Sequence, residues 1–275
     1  MGYTPKMRPA IVPLRAPFQR IQAQYESSER FGMISTLTAK RLPTSPWPSQ
    51  NVSRIENVAS QGCGLADLWE ASPVRFETND SRTEEIISAL FPDNPLLCCG
   101  SSTYRFYTRT REEWRGRLAD QQFIVPSPMI SPKGRTLAGK SSARSNDNVG
   151  ERRFLVVEFD FKEMVNGAET SFAPTLRRLR ERGIDMDDLS ASLLGHLAEN
   201  APLALVVHSG GKSLHGWFFC HGAALALQRK FMEYAVSLGA DRNTWTRCQF
   251  VRMPDGRRDN GKMQRVFFFK PEAIR

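Results

Sequence analysis

The chain has 275 residues, 40% of them apolar and 24% charged, enough hydrophobic material to bury a core and therefore not a disordered tail. Its 38 lysines and arginines against 29 acids give a formal charge of +9, a balance suited to an anionic partner such as nucleic acid or nucleotide. There is no run of about 18 apolar residues and no charged-then-apolar leader, so a cytoplasmic protein is expected, neither secreted nor membrane-spanning.

Residues 1–62 are rich in Pro, Ser, Arg and Gln and read as an extended, partly ordered basic arm with one candidate helix near Phe18 to Tyr25. Arg8, Arg15, Arg20, Lys40, Arg41 and Arg54 suit a nucleic-acid backbone or, equally, a solvated tail. From Cys63 the composition turns globular, and 63–130 reads as an α/β module. Thr83 to Leu90 has helical spacing and stops at Phe91-Pro92-Asp93-Asn94-Pro95. Leu96 to Cys99 and Tyr104 to Tyr107 read as strands, Arg111 to Gln121 as a helix, and Gln122 to Val125 as another strand. Residues 131–150 hold Ser, Gly, Lys, Arg and Asn without apolar periodicity and are expected to be a mobile loop or linker before a second module over 151–275.

That module opens on a strand, Arg153 to Phe161, whose end carries Glu158 and Asp160. A spacing of two puts both carboxylates on one face, where they repel unless a cation neutralises them. This is the logic of a Mg²⁺ or Mn²⁺ site, and a pair of such ions can hold a triphosphate while activating a 3′-hydroxyl. Two exposed acids at a strand end would read the same way. Phe172 to Leu197 follows as one or two helices, with Leu176, Leu179, Leu189, Leu193, Leu194 and Leu197 apolar and Arg177, Arg178, Arg180 and Arg182 on a solvated face.

Leu203 to Phe219, LALVVHSGGKSLHGWFF, reads as a β-hairpin. Its turn gathers Ser209, Lys212, Ser213 and His215 around two glycines, which let backbone N–H groups approach a phosphate chain closely. A plain Gly-Gly turn with a solvated lysine fits the same residues. A Walker A loop does not, because its first glycine would fall at Val206 and a strand rather than a helix follows. Ala223 to Leu238 is an amphipathic helix ended by Gly239, with a third carboxylate, Asp241, just beyond. From Arg242 to Arg275 nine lysines and arginines face three acids, and Arg252 opens the run Arg252-Met253-Pro254-Asp255-Gly256. The five cysteines, 63, 98, 99, 220 and 248, form no CxxC pair and read as reduced thiols rather than disulfides or a zinc ribbon. Strand alternation scatters Cys220 from His208, His215 and His221, which argues against a mixed metal site.

Taken in order, these motifs resemble the archaeo-eukaryotic primase superfamily, in its primase-polymerase branch of bacterial and phage elements. Glu158-Phe159-Asp160 resembles the first acidic motif, Ser213-Leu214-His215 the Ser-x-His motif, Asp241 the third acidic position, and Arg252 to Gly256 the Arg-x-Pro-Gly segment. Glutamate replaces the commoner aspartate in the first motif, and Asp255 interrupts the Pro-Gly pair. The resemblance implies an α+β fold in which an N-terminal α/β module packs on a C-terminal RRM-like sheet with the active site in the cleft between them. It implies that Glu158, Asp160 and Asp241 hold two Mg²⁺ or Mn²⁺ ions, and that Ser209, Lys212, Ser213, His215 and Arg252 bind an incoming NTP or dNTP. The expected reaction is template-directed nucleotidyl transfer on single-stranded DNA, with a separately encoded replicative helicase as a further partner. A catalytically silent single-strand-binding module and a metal-dependent nuclease are the alternatives.

Overall fold

The computed structural model describes residues 46–61, 64–76 and 82–274, so the helix expected near Phe18 to Tyr25, the basic residues before Trp47 and Cys63 lie outside the described residues. The fold is mixed α+β, and its strands pair antiparallel throughout. In chain order the main elements are α1 (Val52–Gln61), α2 (Leu65–Glu70), α3 (Thr83–Leu90), β1 (Leu96–Gly100), β2 (Phe106–Thr110), β3 (Phe123–Ile124), β4 (Phe154–Glu158), α4 (Ala173–Glu181) and α5 (Met186–Ala198). There follow β5 (Leu203–His208), β6 (Leu214–Phe219), α6 (Leu225–Ser237), β7 (Val251–Arg252) and β8 (Val266–Phe269). One sheet runs β7-β3-β1-β2 and the other β8-β5-β6-β4.

The apolar text of β4 is continuous because both faces of that strand are covered. Val157 joins Val206, Leu214 and Phe218 in a core shared with Leu176, Leu189, Leu193 and Leu197 of α4 and α5. Phe154 and Val156 point the other way, into a buried cluster with Leu205, Val207 and Trp217 of their own sheet and Leu97, Cys99, Ile124 and Val251 of the other. Ile86, Ile87 and Leu90 of α3 close that cluster.

Several elements differ from the sequence reading. Val52–Gln61, placed by composition in an extended arm, is the helix α1, because Ile55 and Ala59 form a stripe that buries against α5. Arg54, counted among the arm's backbone-tracking charges, instead sets its guanidinium 5.0 Å from the Tyr234 ring. The helix expected over Arg111 to Gln121 stops after Arg111–Trp114. It starts on a capping box, with Thr110 Oγ1 accepting from Glu113 N and Glu113 accepting from Thr110 N. It ends because the chain turns through Gly116 at φ 75°, while Glu84 accepts hydrogen bonds from the Gly116 and Leu118 amides. The strand expected at Tyr104 to Tyr107 lies two residues later, as β2, leaving Tyr104 almost fully exposed.

Residues 131–150 carry a two-residue ribbon, Gly134–Arg135 against Ser141–Ser142. Within them Asn148 is fully buried, its amide donating to the Ser131 and Ala143 carbonyls at 3.1 and 2.9 Å. Thr108 Oγ1 of β2 donates to the Ala143 carbonyl at 2.8 Å, which ties this segment to the first sheet. Cys98, Cys99, Cys220 and Cys248 are free thiols, and burial pushes the Cys98 and Cys220 thiols up to about 11 and about 12. Among the described residues no helix is long and apolar enough to cross a membrane.

Candidate functional site

The register of the second sheet builds the site. His215 on β6 pairs directly with Glu158 at the end of β4, and Leu214 pairs with His208 across the hairpin. Residues opposite each other in an antiparallel pair project to the same face, so the His215 and Glu158 side chains meet. His215 Nε2 lies 3.4 Å from Glu158 Oε1. Ser213 Oγ lies 3.1 Å from both Glu158 Oε1 and Ser209 Oγ, and the Ser213 amide donates to Ser209 Oγ at 3.2 Å. Four residues of the hairpin and the acidic strand thus form one hydrogen-bonded group.

The turn between β5 and β6 needs a glycine at 210 and is closely approached at 211. Gly210 has φ 69°, a left-handed conformation, and a Cβ there would stand 2.8 Å from the Met263 carbonyl oxygen. At Gly211 a Cβ would stand 3.0 Å from Arg258 Nη1. The segment from Gly256 to Gln264 therefore lies against this turn, and Arg258 Nη1 donates to the Ser209 carbonyl at 3.3 Å.

The other two acids arrive through the backbone. Asp241 N donates to the Glu158 carbonyl at 2.9 Å, and Ala240 bridges Phe159. Asp241 Oδ1 caps the short 3₁₀ turn Arg242–Trp245 by accepting from Asn243 N at 2.9 Å. Asp160 forms an ion pair with Lys162, Nζ to Oδ2 2.8 Å. The Lys162 ammonium is held above the ordinary lysine range by that contact first, then by the charges of Asp241 and Glu158. Of the three acids only Asp160 contacts Lys162.

On the opposing sheet, Arg252 sits on β7, held beside Phe123 of β3. Burial and the neighbouring Arg258 lower its ordinarily very high pKa, while Glu158 acts in the opposite sense. His215 is buried, and burial lowers its pKa from the ordinary value of 6.5 despite the opposing charge of Glu158, so the imidazole is neutral at pH 7. Among the described residues its Nδ1 has no hydrogen-bond partner, and neither do Arg258 Nε or the two side-chain amide atoms of Gln264, all buried.

Glu158, Ser209, Ser213 and His215 are thus in contact, Asp160 and Asp241 lie alongside, and Arg252 is within electrostatic reach. Lys212 stands exposed on the turn, with no ion pair among the described residues. As these side chains stand, no three His, Cys, Asp or Glu residues among those described are close enough to hold one metal ion. Carboxylate oxygens are the donors a hard divalent cation takes, and Glu158, Asp160 and Asp241 are the acids here that could supply them.

The sequence reading missed Lys162, Arg258 and Gln264. The strand expected over Arg153 to Phe161 stops at Glu158, so Asp160 and Lys162 lie beyond its pleat and no strand parity relates them to Glu158. Nothing local distinguishes Arg258 from the surrounding basic residues. A scan against protein-family models, a search of curated proteins and a search of solved structures each returned no match.

Proposed function

We propose that the chain is a template-directed nucleotidyl transferase of the primase-polymerase kind, joining a 3′-hydroxyl to the α-phosphate of an incoming NTP or dNTP on single-stranded DNA. The observation that carries this reading is the contact between the acidic strand end and the donor-rich turn, Glu158 to Ser213 and His215. The motif resemblance to the archaeo-eukaryotic primases supports it.

In this reading the sheet β8-β5-β6-β4 with its helices is the RRM-like module, and the sheet β7-β3-β1-β2, which borrows β7 from the same stretch of chain, is its partner across the site. The order of the elements that build the first of these, strand, two helices, hairpin, helix, strand, supports the assignment. One departure is that β4 lies at the sheet edge and the last strand pairs with β5, whereas an RRM holds its first strand inside the sheet.

The Ser209 hydroxyl and the turn's N–H groups donate to the β- and γ-phosphates, while the Ser213 hydroxyl, donating to Glu158, holds the turn against the acidic strand end. Lys212, Arg252 and Arg258 neutralise the triphosphate, Arg258 lying on the side of the turn that Gly211 leaves open. His215, neutral and buried, orients a phosphate oxygen rather than acting as the base. Glu158, Asp160 and Asp241 would hold Mg²⁺ or Mn²⁺, with Asp160 exchanging its ion pair to Lys162. When bound, such ions lower the hydroxyl pKa and offset charge developing on the phosphoryl group. The 3′-hydroxyl gives its proton to solvent, its oxygen bonds to the α-phosphorus, the bond from that phosphorus to the bridging β-phosphate oxygen breaks, and pyrophosphate leaves.

A single-strand-binding module without catalysis is the second reading, favoured by the Lys162–Asp160 ion pair and by the lack of a ready three-ligand group among the described residues. Incubation with single-stranded DNA, labelled NTPs or dNTPs and Mg²⁺ or Mn²⁺, with and without a primer, separates the two. Wild type is expected to lengthen strands and Asp160→Ala to make no product. A wild type that makes none, or a variant that makes as much, removes the polymerase reading.

A further inference from the structure

One side of the sheet β7-β3-β1-β2 is paved with phenylalanine. Phe106 of β2, Phe123 of β3 and Phe250, which precedes β7, come from distant parts of the chain. Their ring centroids lie 5.1 Å (Phe106–Phe250), 4.8 Å (Phe123–Phe250) and 6.3 Å (Phe106–Phe123) apart. Gly100 keeps the Phe106 ring down on the sheet, since a Cβ at that position would stand 2.5 Å from it. Phe123 is buried and forms the floor, while Phe106 and Phe250 are half-buried and reach the surface.

Two guanidinium groups lie on these rings. Arg252 is 4.7 Å from the Phe123 centroid, and Arg144 is 4.9 and 4.6 Å from those of Phe106 and Phe250. Arg144 is fixed there by donating to the Cys248 carbonyl at 3.0 Å. Among the described residues neither arginine forms an ion pair with a carboxylate. Guanidinium groups held over aromatic rings, without an ion pair to a carboxylate among the described residues, can turn N–H groups to an external anion. Aromatic faces interleaved with such cations are the recognition chemistry of a single nucleic-acid strand, whose bases stack while its phosphates pair with arginine. One end of this shelf is Arg252, beside Glu158 and Arg258.

We propose that the Phe106–Phe123–Phe250 shelf carries the single-stranded template away from the nucleotide site, with bases against Phe250 and Phe106 and phosphates on Arg144. The proposal rests on the nucleotidyl-transfer reading, and its test is independent of turnover.

The experiment measures binding of a fluorescein-labelled oligo-dT strand by anisotropy across a salt series, for wild type, Arg144→Gln and Phe250→Leu. Neither residue belongs to the nucleotide-binding set. Circular-dichroism melts establish that the variants fold, and the thermal shift given by dATP with Mg²⁺ reports the nucleotide site. Arg144→Gln is expected to weaken strand binding about tenfold and to flatten the salt dependence by about one phosphate contact. Phe250→Leu, which keeps bulk but loses the π-face, is expected to weaken it about fivefold to tenfold. Both should keep the nucleotide shift. Folded variants that bind the strand as wild type does, or a wild type that does not bind it, overturn the shelf. If wild type extends primers while the variants bind normally, only the shelf falls. If the variants lose the strand while wild type makes no product, the shelf stands and the polymerase reading falls.

Discussion

Glu158→Gln is expected to cut nucleotide incorporation by about a hundredfold to a thousandfold, the scale on which a preorganised electrostatic contributor acts. Glutamine keeps the length of the side chain and an oxygen that accepts from Ser213 Oγ, so the contact between strand end and turn persists. What disappears is one of three negative charges acting at the Lys162 position. The change does not work by ionising His215. Glu158 opposes the lowering of the His215 pKa, so its neutralisation leaves burial less opposed and the imidazole neutral at pH 7 in both proteins. Stability should stay within about 1 kcal/mol, because the hydrogen bond is retained. Single-turnover incorporation measured beside urea unfolding checks both parts. A variant within about threefold of wild type would show that Glu158 is a strand-end acid without a catalytic role.

Trp217→Ala is expected to cost about 3–5 kcal/mol of stability, the range for removing a large buried aromatic side chain. Trp217 is fully buried, its ring 5.5 Å from that of Phe154, in the cluster that joins the two sheets. Its Nε1 is buried without a partner, so Trp217→Phe should cost much less, about 1–2 kcal/mol, since that change also removes an unpaired donor. Urea-unfolding midpoints of the two variants give the comparison. A loss under about 1 kcal/mol for Trp217→Ala would mean that the sheets do not depend on this cluster.

The legible parts of the fold were those whose pattern is local. Thr83–Leu90 carries acids in its first turn and buried residues at helical spacing, and the structure places the helix at those bounds. The hairpin of β5 and β6 showed in the apolar strands flanking Gly210 and Gly211. The helix α1 was hidden because its buried stripe is set among Ser, Arg, Glu and Asn, a composition that reads as solvated chain. The pairing of Val251–Arg252 with β3 joins residues more than a hundred positions apart, and a two-residue strand has no periodicity to read. The same holds for the site. The spacing of Glu158 and Asp160 was read as one face of a strand, but the strand stops at Glu158 and leaves Asp160 beyond it, and Arg258 reaches the turn through a long-range packing contact that no local pattern encodes.

The proposed convergence of acids and basic donors on one triphosphate site is tested most directly by calorimetric titration of a dNTP into wild type and Arg258→Ala, with and without Mg²⁺. Wild type should take up the nucleotide only with the divalent cation, and Arg258→Ala should bind it at least about tenfold more weakly, as expected for losing a hydrogen bond to a charged group. Equal affinity in the two proteins, or no heat of binding to wild type with Mg²⁺ present, would contradict the account.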